Sequence, residues 1–197
     1  WYRPGEGGPG APAVLFFHGN GENLETLRQS GTLDNLAGMA SAVVAVDYPG
    51  YGRSGGEPSE AGNVAAGRRA LAWLAERHPD RPLVVAGWSL GAAVAIQLAA
   101  GGDQRVAALA LLSPWARLEE VAKVHFPGFL VGWLLAEEYD SLAAAEGVAC
   151  PTLVVHGAGD RIIPAEQGRR LAEALGRALG ERAEWVEVEG AGHNDLL

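Results

Sequence analysis

Five residues, Gly87-Trp88-Ser89-Leu90-Gly91, follow an apolar run from Leu83 to Ala86 and precede a helical one from Ala92 to Ala100. Strand, sharp turn and helix in that order present the middle serine as a nucleophile. The turn strains its backbone, and the flanking glycines remove side chains that would strike the neighbouring strand and helix. The amides that follow sit at a helix N-terminus, where they can stabilise a negative oxygen. The spelling alone is weakly selective. With 28 glycines and seven serines in the chain, roughly 0.14 chance matches to G-x-S-x-G are expected, and a second match is present, Gly52-Arg53-Ser54-Gly55-Gly56. There the preceding Asp47 to Gly52 reads as loop, and Gly56-Glu57-Pro58 cannot open a helix directly. Context selects Ser89.

A serine hydroxyl is a poor nucleophile until a base takes its proton, and the base should be a histidine held in one tautomer by a carboxylate. Of the five histidines, His193 lies in the glycine-rich stretch Glu189 to His193, just past the last apolar run, and is the candidate base. His18 opens the turn His18-Gly19-Asn20-Gly21 and is read as its brace. His156 is read as structural, His78 as a cap or surface residue, and His125 as a solvated lid residue, with contact to substrate the lesser alternative. The candidate carboxylate is Asp160, directly after the fifth apolar run; the competing reading is a helix cap for the segment after Pro164. Asp195 and Asp140 are weaker choices. An oxyanion site needs two converging amides. They are expected from Leu90, next to the nucleophile, and from Asn20 in the turn after the first run.

The elements that must position these residues are six short apolar runs, Ala13–Phe17, Ala42–Val46, Leu83–Ala86, Val106–Leu112, Thr152–Val155 and Glu184–Val188, separated by segments of helical spacing. Val64, Leu71 and Leu74 mark one helical face, and Leu171, Leu175 and Leu179 another. Most runs are continuous rather than alternating, which suggests strands buried on both faces. The order predicts an α/β fold, a mostly parallel sheet of about six strands with helices on both sides and ligands at the carboxyl ends of the strands. The 197 residues suit one domain, 1–197. A long connection, about 115–148, is expected to insert a short helical lid, broken at Pro127-Gly128. Its Phe126, Phe129 and Trp133, with Leu130 and Leu134, either contact an apolar acyl group or pack the lid onto the domain.

Composition narrows the partners. A net charge of −9 argues against a nucleic-acid surface. No apolar run reaches the length of a membrane helix. Cys150, the single cysteine, reads as a small buried residue. No His/Cys cluster has metal-ligand spacing, and neither metal nor cofactor is expected. The chain starts at Trp1 and its one methionine is Met39. The expectation is therefore a cytoplasmic protein whose natural start lies upstream, with membrane association only through a segment outside this chain.

Together, Phe16 to Asn23, Asp47 to Glu60, the Ser89 turn, Pro151 to Pro164 and Gly190 to His193 resemble the α/β-hydrolase family of serine hydrolases, in particular its small-lidded "alpha/beta hydrolase domain-containing" branch. The resemblance covers nearly the whole chain. It implies a Ser89–Asp160–His193 triad and a structural turn at Asp47 to Ser54. It also implies two strands before Ala13 and a helix after the histidine, both of which this sequence is expected to lack. The activity it implies is cleavage of a carboxylic ester or thioester through an acyl-enzyme, with a small-molecule or lipid-like acyl substrate. Peptidases and acyltransferases use the same triad, and a non-catalytic binding protein can occupy the same scaffold. A nucleotide-binding oxidoreductase would use Gly19-Asn20-Gly21 and Asp47, but its third glycine position holds Leu24 and it leaves Ser89 and His193 unexplained.

Overall fold

The strand-forming runs assemble side by side because each is apolar enough to be covered on both faces. The structure is a computed structural model describing residues 1–125 and 137–197. Seven strands form one sheet: β1 (Tyr2–Pro4), β2 (Ala13–Phe17), β3 (Ala42–Ala45), β4 (Leu83–Trp88), β5 (Val106–Leu112), β6 (Thr152–Gly157) and β7 (Ala183–Val188). Their order is β1-β3-β2-β4-β5-β6-β7, and all neighbours are parallel except β1, which runs antiparallel to β3. The six strands expected from sequence are present. The seventh, β1, had no apolar run to announce it: Tyr2-Arg3-Pro4 pairs by main-chain bonding at the sheet edge, where a proline is tolerated.

The helices are α1 (Leu24–Ser30), α2 (Thr32–Met39), α3 (Glu60–Arg77), α4 (Leu90–Ala100), α5 (Leu118–His125), α6 (Ser141–Ala145) and α7 (Ala165–Leu179). Asn23 starts α1 through a reciprocal capping box with Thr26, and Ser59 caps α3 through the Gly62 amide. Alternate residues of β2 feed two cores. Ala13, Leu15 and Phe17 join the core packed by α3, α4 and α7, whereas Val14 and Phe16 join the smaller core under α1 and α2. That second core reaches only as far as half-buried Ala110 and Leu112 of β5. Leu153 and Val155 of β6 are also half-buried and belong to neither core. Two-sided burial therefore holds at β2 and β3, where every residue is buried, and weakens toward β7. In the expected lid, α5 and α6 are described; Phe126, Phe129, Leu130, Trp133 and Leu134 lie outside the described residues. Among the described residues no helix is long and apolar enough to cross a membrane.

Candidate active site

Ser89 follows the last residue of β4 and immediately precedes α4. Its backbone is held at φ 56°, ψ −118°, a left-handed conformation that a side-chain-bearing residue rarely adopts. A Cβ on Gly87 would stand 2.1 Å from the Gly91 carbonyl oxygen, and one on Gly91 would stand 2.1 Å from that of Phe17. Strand and helix therefore touch backbone to backbone around the serine, and the Ser89 amide is tied to the Leu112 carbonyl at 2.9 Å.

Three side chains from separate loops converge here. His193 Nδ1 lies 2.6 Å from Asp160 Oδ2, and His193 Nε2 lies 3.1 Å from Ser89 Oγ. A carboxylate only accepts, so Nδ1–H is the donor; Nε2 of the neutral ring is then bare and accepts from the serine hydroxyl. All three residues are nearly buried, at 7–8% exposure, so this chain of bonds is poorly screened by solvent.

Asp160 is held from several directions. Its Oδ1 accepts the amides of Ile162 at 2.9 Å and Ile163 at 2.8 Å. Pro164 holds the N-cap position of α7 and no side chain caps the helix, so Asp160 is not its capping residue. His156, fully buried, donates Nε2–H to the Ile163 carbonyl at 2.9 Å and lies 3.2 Å from Asp160 Oδ2. Burial alone would raise the Asp160 carboxyl; the donors on His156, His193 and Ile163 outweigh it and hold the group well below the usual carboxylate range.

His193 has an anchor that does not depend on a following helix. Trp88, at the first unspecified place of the pentapeptide, donates Nε1–H to the His193 carbonyl at 3.0 Å, and its ring lies 5.1 Å from the imidazole. The Gly159 amide bonds the Ala191 carbonyl at 2.8 Å, and the exposed Asp195 closes the turn on the Gly192 amide at 2.7 Å. Sequence reasoning passed over Trp88, since an apolar residue beside a strand end reads as core.

The remaining sequence candidates fall into place by geometry. His18 is buried and donates Nδ1–H to the Gly19 carbonyl at 2.9 Å; burial sets its pKa below the ordinary value, against the raising effects of that bond and of Asp47. Asn20 is held by Tyr51, whose hydroxyl donates to Asn20 Oδ1 at 2.6 Å. Leu90 opens α4, where first-turn amides have no helical partner. Asn20, Ser89 and Leu90 line one cavity of about 460 Å³. Asp140 caps α6 through the Ala143 amide, and His78 ends α3. His125 is exposed, with Nε2 2.8 Å from the Ile162 carbonyl. Cys150 is half-buried just before β6, at the opposite end of the parallel strands from Ser89, and burial pushes its thiol up, away from a reactive thiolate. Among the described residues no His/Cys/Asp/Glu group could hold a metal ion.

Comparison with known proteins places this arrangement. A family model described as "alpha/beta hydrolase fold" matches residues 12–147. An uncharacterised protein of Mycobacterium tuberculosis (strain ATCC 25618 / H37Rv) is 39% identical over 99% of this chain and 67% of its own length. The lysophosphatidylserine lipase ABHD12 of Rattus norvegicus is 30% identical over 81% of this chain, which spans only 44% of that protein. Among solved structures, TT1662 from Thermus thermophilus superposes with a TM-score of 0.75 at 27% identity, covering 98% of this chain and 85% of its own.

Proposed function

The chain belongs to the alpha/beta hydrolase family, and from that premise we propose that it is a serine hydrolase in which Ser89, His193 and Asp160 cleave a carboxylic ester or thioester. One observation carries the reading: hydroxyl, imidazole and carboxylate form an unbroken chain of hydrogen bonds at the strand ends, beside a cavity. In this mechanism Ser89 Oγ attacks the carbonyl carbon while its proton passes to His193 Nε2. Asp160 keeps Nδ1 protonated and stabilises the imidazolium. The amides of Leu90 and Asn20 hold the oxyanion. Collapse of the tetrahedral intermediate expels the alcohol or thiol, which takes the proton from Nε2, and leaves an acyl-enzyme. Water, deprotonated by His193, then releases the acid.

The cavity wall formed by Leu118, Val121, Ile162 and Ile163 suits an apolar acyl group. A lipid-like ester is the substrate class this supports, in keeping with a lipase among the relatives. The test is twofold. Wild-type protein should hydrolyse a short-chain p-nitrophenyl ester and carry a fluorophosphonate probe on the peptide containing Ser89. Ser89→Ala should lose both, with kcat lower by about 10⁴-fold or more. A probe on Ser54, or equal turnover by Ser89→Ala, defeats the assignment. A panel of esters, thioesters and amides with a common acyl group then separates esterase from thioesterase and peptidase.

A further inference from the structure

The cavity in front of Ser89 has two chemically unlike walls. Besides the apolar Leu118, Val121, Ile162 and Ile163, the lining includes Ser59 and Asn63, from the start of α3, with Glu137 and Tyr139, which are bonded to that start. Asn63 is 2% exposed, and its Nδ2–H donates to the Tyr139 hydroxyl at 2.9 Å. Its Oδ1 is buried with no partner among the described residues. Turning the amide over would let Tyr139 donate instead and leave an N–H unspent, so one polar end of Asn63 is unmatched in either orientation. An amide lining the cavity with one end unmatched has a hydrogen bond left to offer a group that reaches it.

The second observation is charge. Glu137 is the one ionisable carboxylate among the described lining residues, and no described lysine or arginine lines the cavity. The preceding stretch, residues 126–136, carries no charged residue in the sequence. Glu137 Oε2 accepts the first amide of α3, from Glu60, at 2.8 Å, and Glu60 Oε2 in turn accepts the Tyr139 amide at 3.0 Å. Glu137 thus stands in the polar wall with Glu60 beside it, and no cation lines the cavity among the described residues. An anionic group entering there would be desolvated beside like charge, whereas a group carrying an O–H or N–H donor would be matched.

We propose that this wall is a subsite for the alcohol portion of the ester, taking alcohols that end in a hydrogen-bond donor, hydroxyl or ammonium, with Glu137 turning anionic head groups away. The proposal rests on Ser89 acting as the nucleophile, and the experiment separates the two. The probes are octanoate esters whose alcohol portions are 2-hydroxyethyl, propyl, 2-(dimethylammonio)ethyl and 2-carboxyethyl. Dissociation constants are read from tryptophan fluorescence on Ser89→Ala, since Trp115 lines the cavity, and kcat/KM on the wild type.

The hydroxyl or the ammonium ester should bind about tenfold more tightly than the propyl ester. The carboxylate ester should bind about tenfold more weakly than propyl at low salt, with the gap narrowing at high salt. The relative rank of hydroxyl and ammonium identifies the natural donor. Placing Glu137→Gln on that background keeps an oxygen for the α3 amide and should bring the carboxylate ester to within about threefold of propyl. Asn63→Leu, or Tyr139→Phe should the first fail to fold, should erase the advantage of hydroxyl over propyl. Propyl binding as tightly as both donors, or carboxylate binding as tightly as propyl, overturns the subsite. A wild type that binds the series in the expected order but hydrolyses none of it overturns the nucleophile and leaves the subsite standing.

Discussion

Ser54 and Ser89 occupy the third place of the same five-residue pattern, and their surroundings differ in every respect that matters to chemistry. Ser54 lies in a turn well past the end of β3, and its hydroxyl donates to the Asp47 carbonyl at 2.9 Å. The same turn is closed by the Ser54 amide on Tyr51 and the Arg53 amide on Asp47 Oδ2. Ser89 has a strained backbone between strand and helix, and its hydroxyl faces His193. The glycines differ as well. A Cβ on Gly87 or Gly91 would collide with main chain, whereas at the matching places of the other pentapeptide one on Gly52 would meet the Asp47 side chain and one on Gly56 comes no closer than 3.5 Å to Pro49. The lesson is that the pattern encodes a tight turn, and that a strand end and a helix start on either side are what turn a serine outward.

The largest way to press this contrast, short of removing Ser89 itself, is to act on its distant partner. Asp160→Asn should leave the fold in place and lower kcat by about 10⁴-fold, since an amide no longer selects the Nδ1–H tautomer of His193; Ser54 has no such remote dependence. The same variant reports on stability. The Asp160 carboxyl is held below its unfolded value, so its ionisation stabilises the fold above the usual aspartate range and that contribution is lost as pH falls through and below it. Denaturant titrations should show wild-type stability declining on acidification from about pH 5, with a shallower decline for Asp160→Asn. Parallel declines would mean that the bonds to His156, His193 and Ile163 do not set the carboxyl.

Next in size are the glycines. Gly91→Ala places a methyl against the Phe17 carbonyl, where neither backbone can yield without moving the oxyanion turn. A loss of about 3 kcal/mol in unfolding free energy is expected, together with weaker probe labelling at Ser89. Gly56→Ala, at the matching place of the other pentapeptide, meets nothing closer than 3.5 Å but carries φ 91°, so only backbone strain of about 1 kcal/mol is expected. Equal losses at the two positions would show that both turns are packed alike, contrary to the structure.

Much of this was legible in the sequence because it is local. Continuous apolar runs gave six of the seven strands, and the turn context singled out Ser89 over Ser54. The chain order of serine, aspartate and histidine pointed to the residues that the fold brings within hydrogen-bonding distance. What escaped notice is non-local. Strand β1 is three residues defined only by its pairing with β3. Trp88 and Tyr51 read as core and turn, and their bonds to His193 and Asn20 cross long sequence separations; His156 reads as a strand end, and its bond to Ile163 depends on how the short loop between them folds back. The expectation that two-sided burial would run through the sheet failed at β6 because burial depends on which helices cover a face, not on the strand's own residues.

The smallest effect is the most exacting for the comparison, because it asks whether Ser54 is only a structural residue. Ser54→Ala removes one half-buried hydroxyl that donates to a main-chain carbonyl. Losing a single neutral hydrogen bond of this kind costs about 1 kcal/mol, or about 3 °C in Tm for a chain of this size. The Asp47 carboxylate keeps its own bonds, Oδ1 to the Leu24 amide at 2.8 Å and Oδ2 to the Arg53 amide at 3.3 Å, so the turn and the start of α1 should persist. Ester turnover should then stay within about twofold of wild type, since a half-buried surface-turn change perturbs the remote site weakly. A drop in kcat out of proportion to the change in Tm would mean that the Asp47 turn transmits to the oxyanion loop through Tyr51 and Asn20. In that case the two pentapeptides would belong to one site rather than to two.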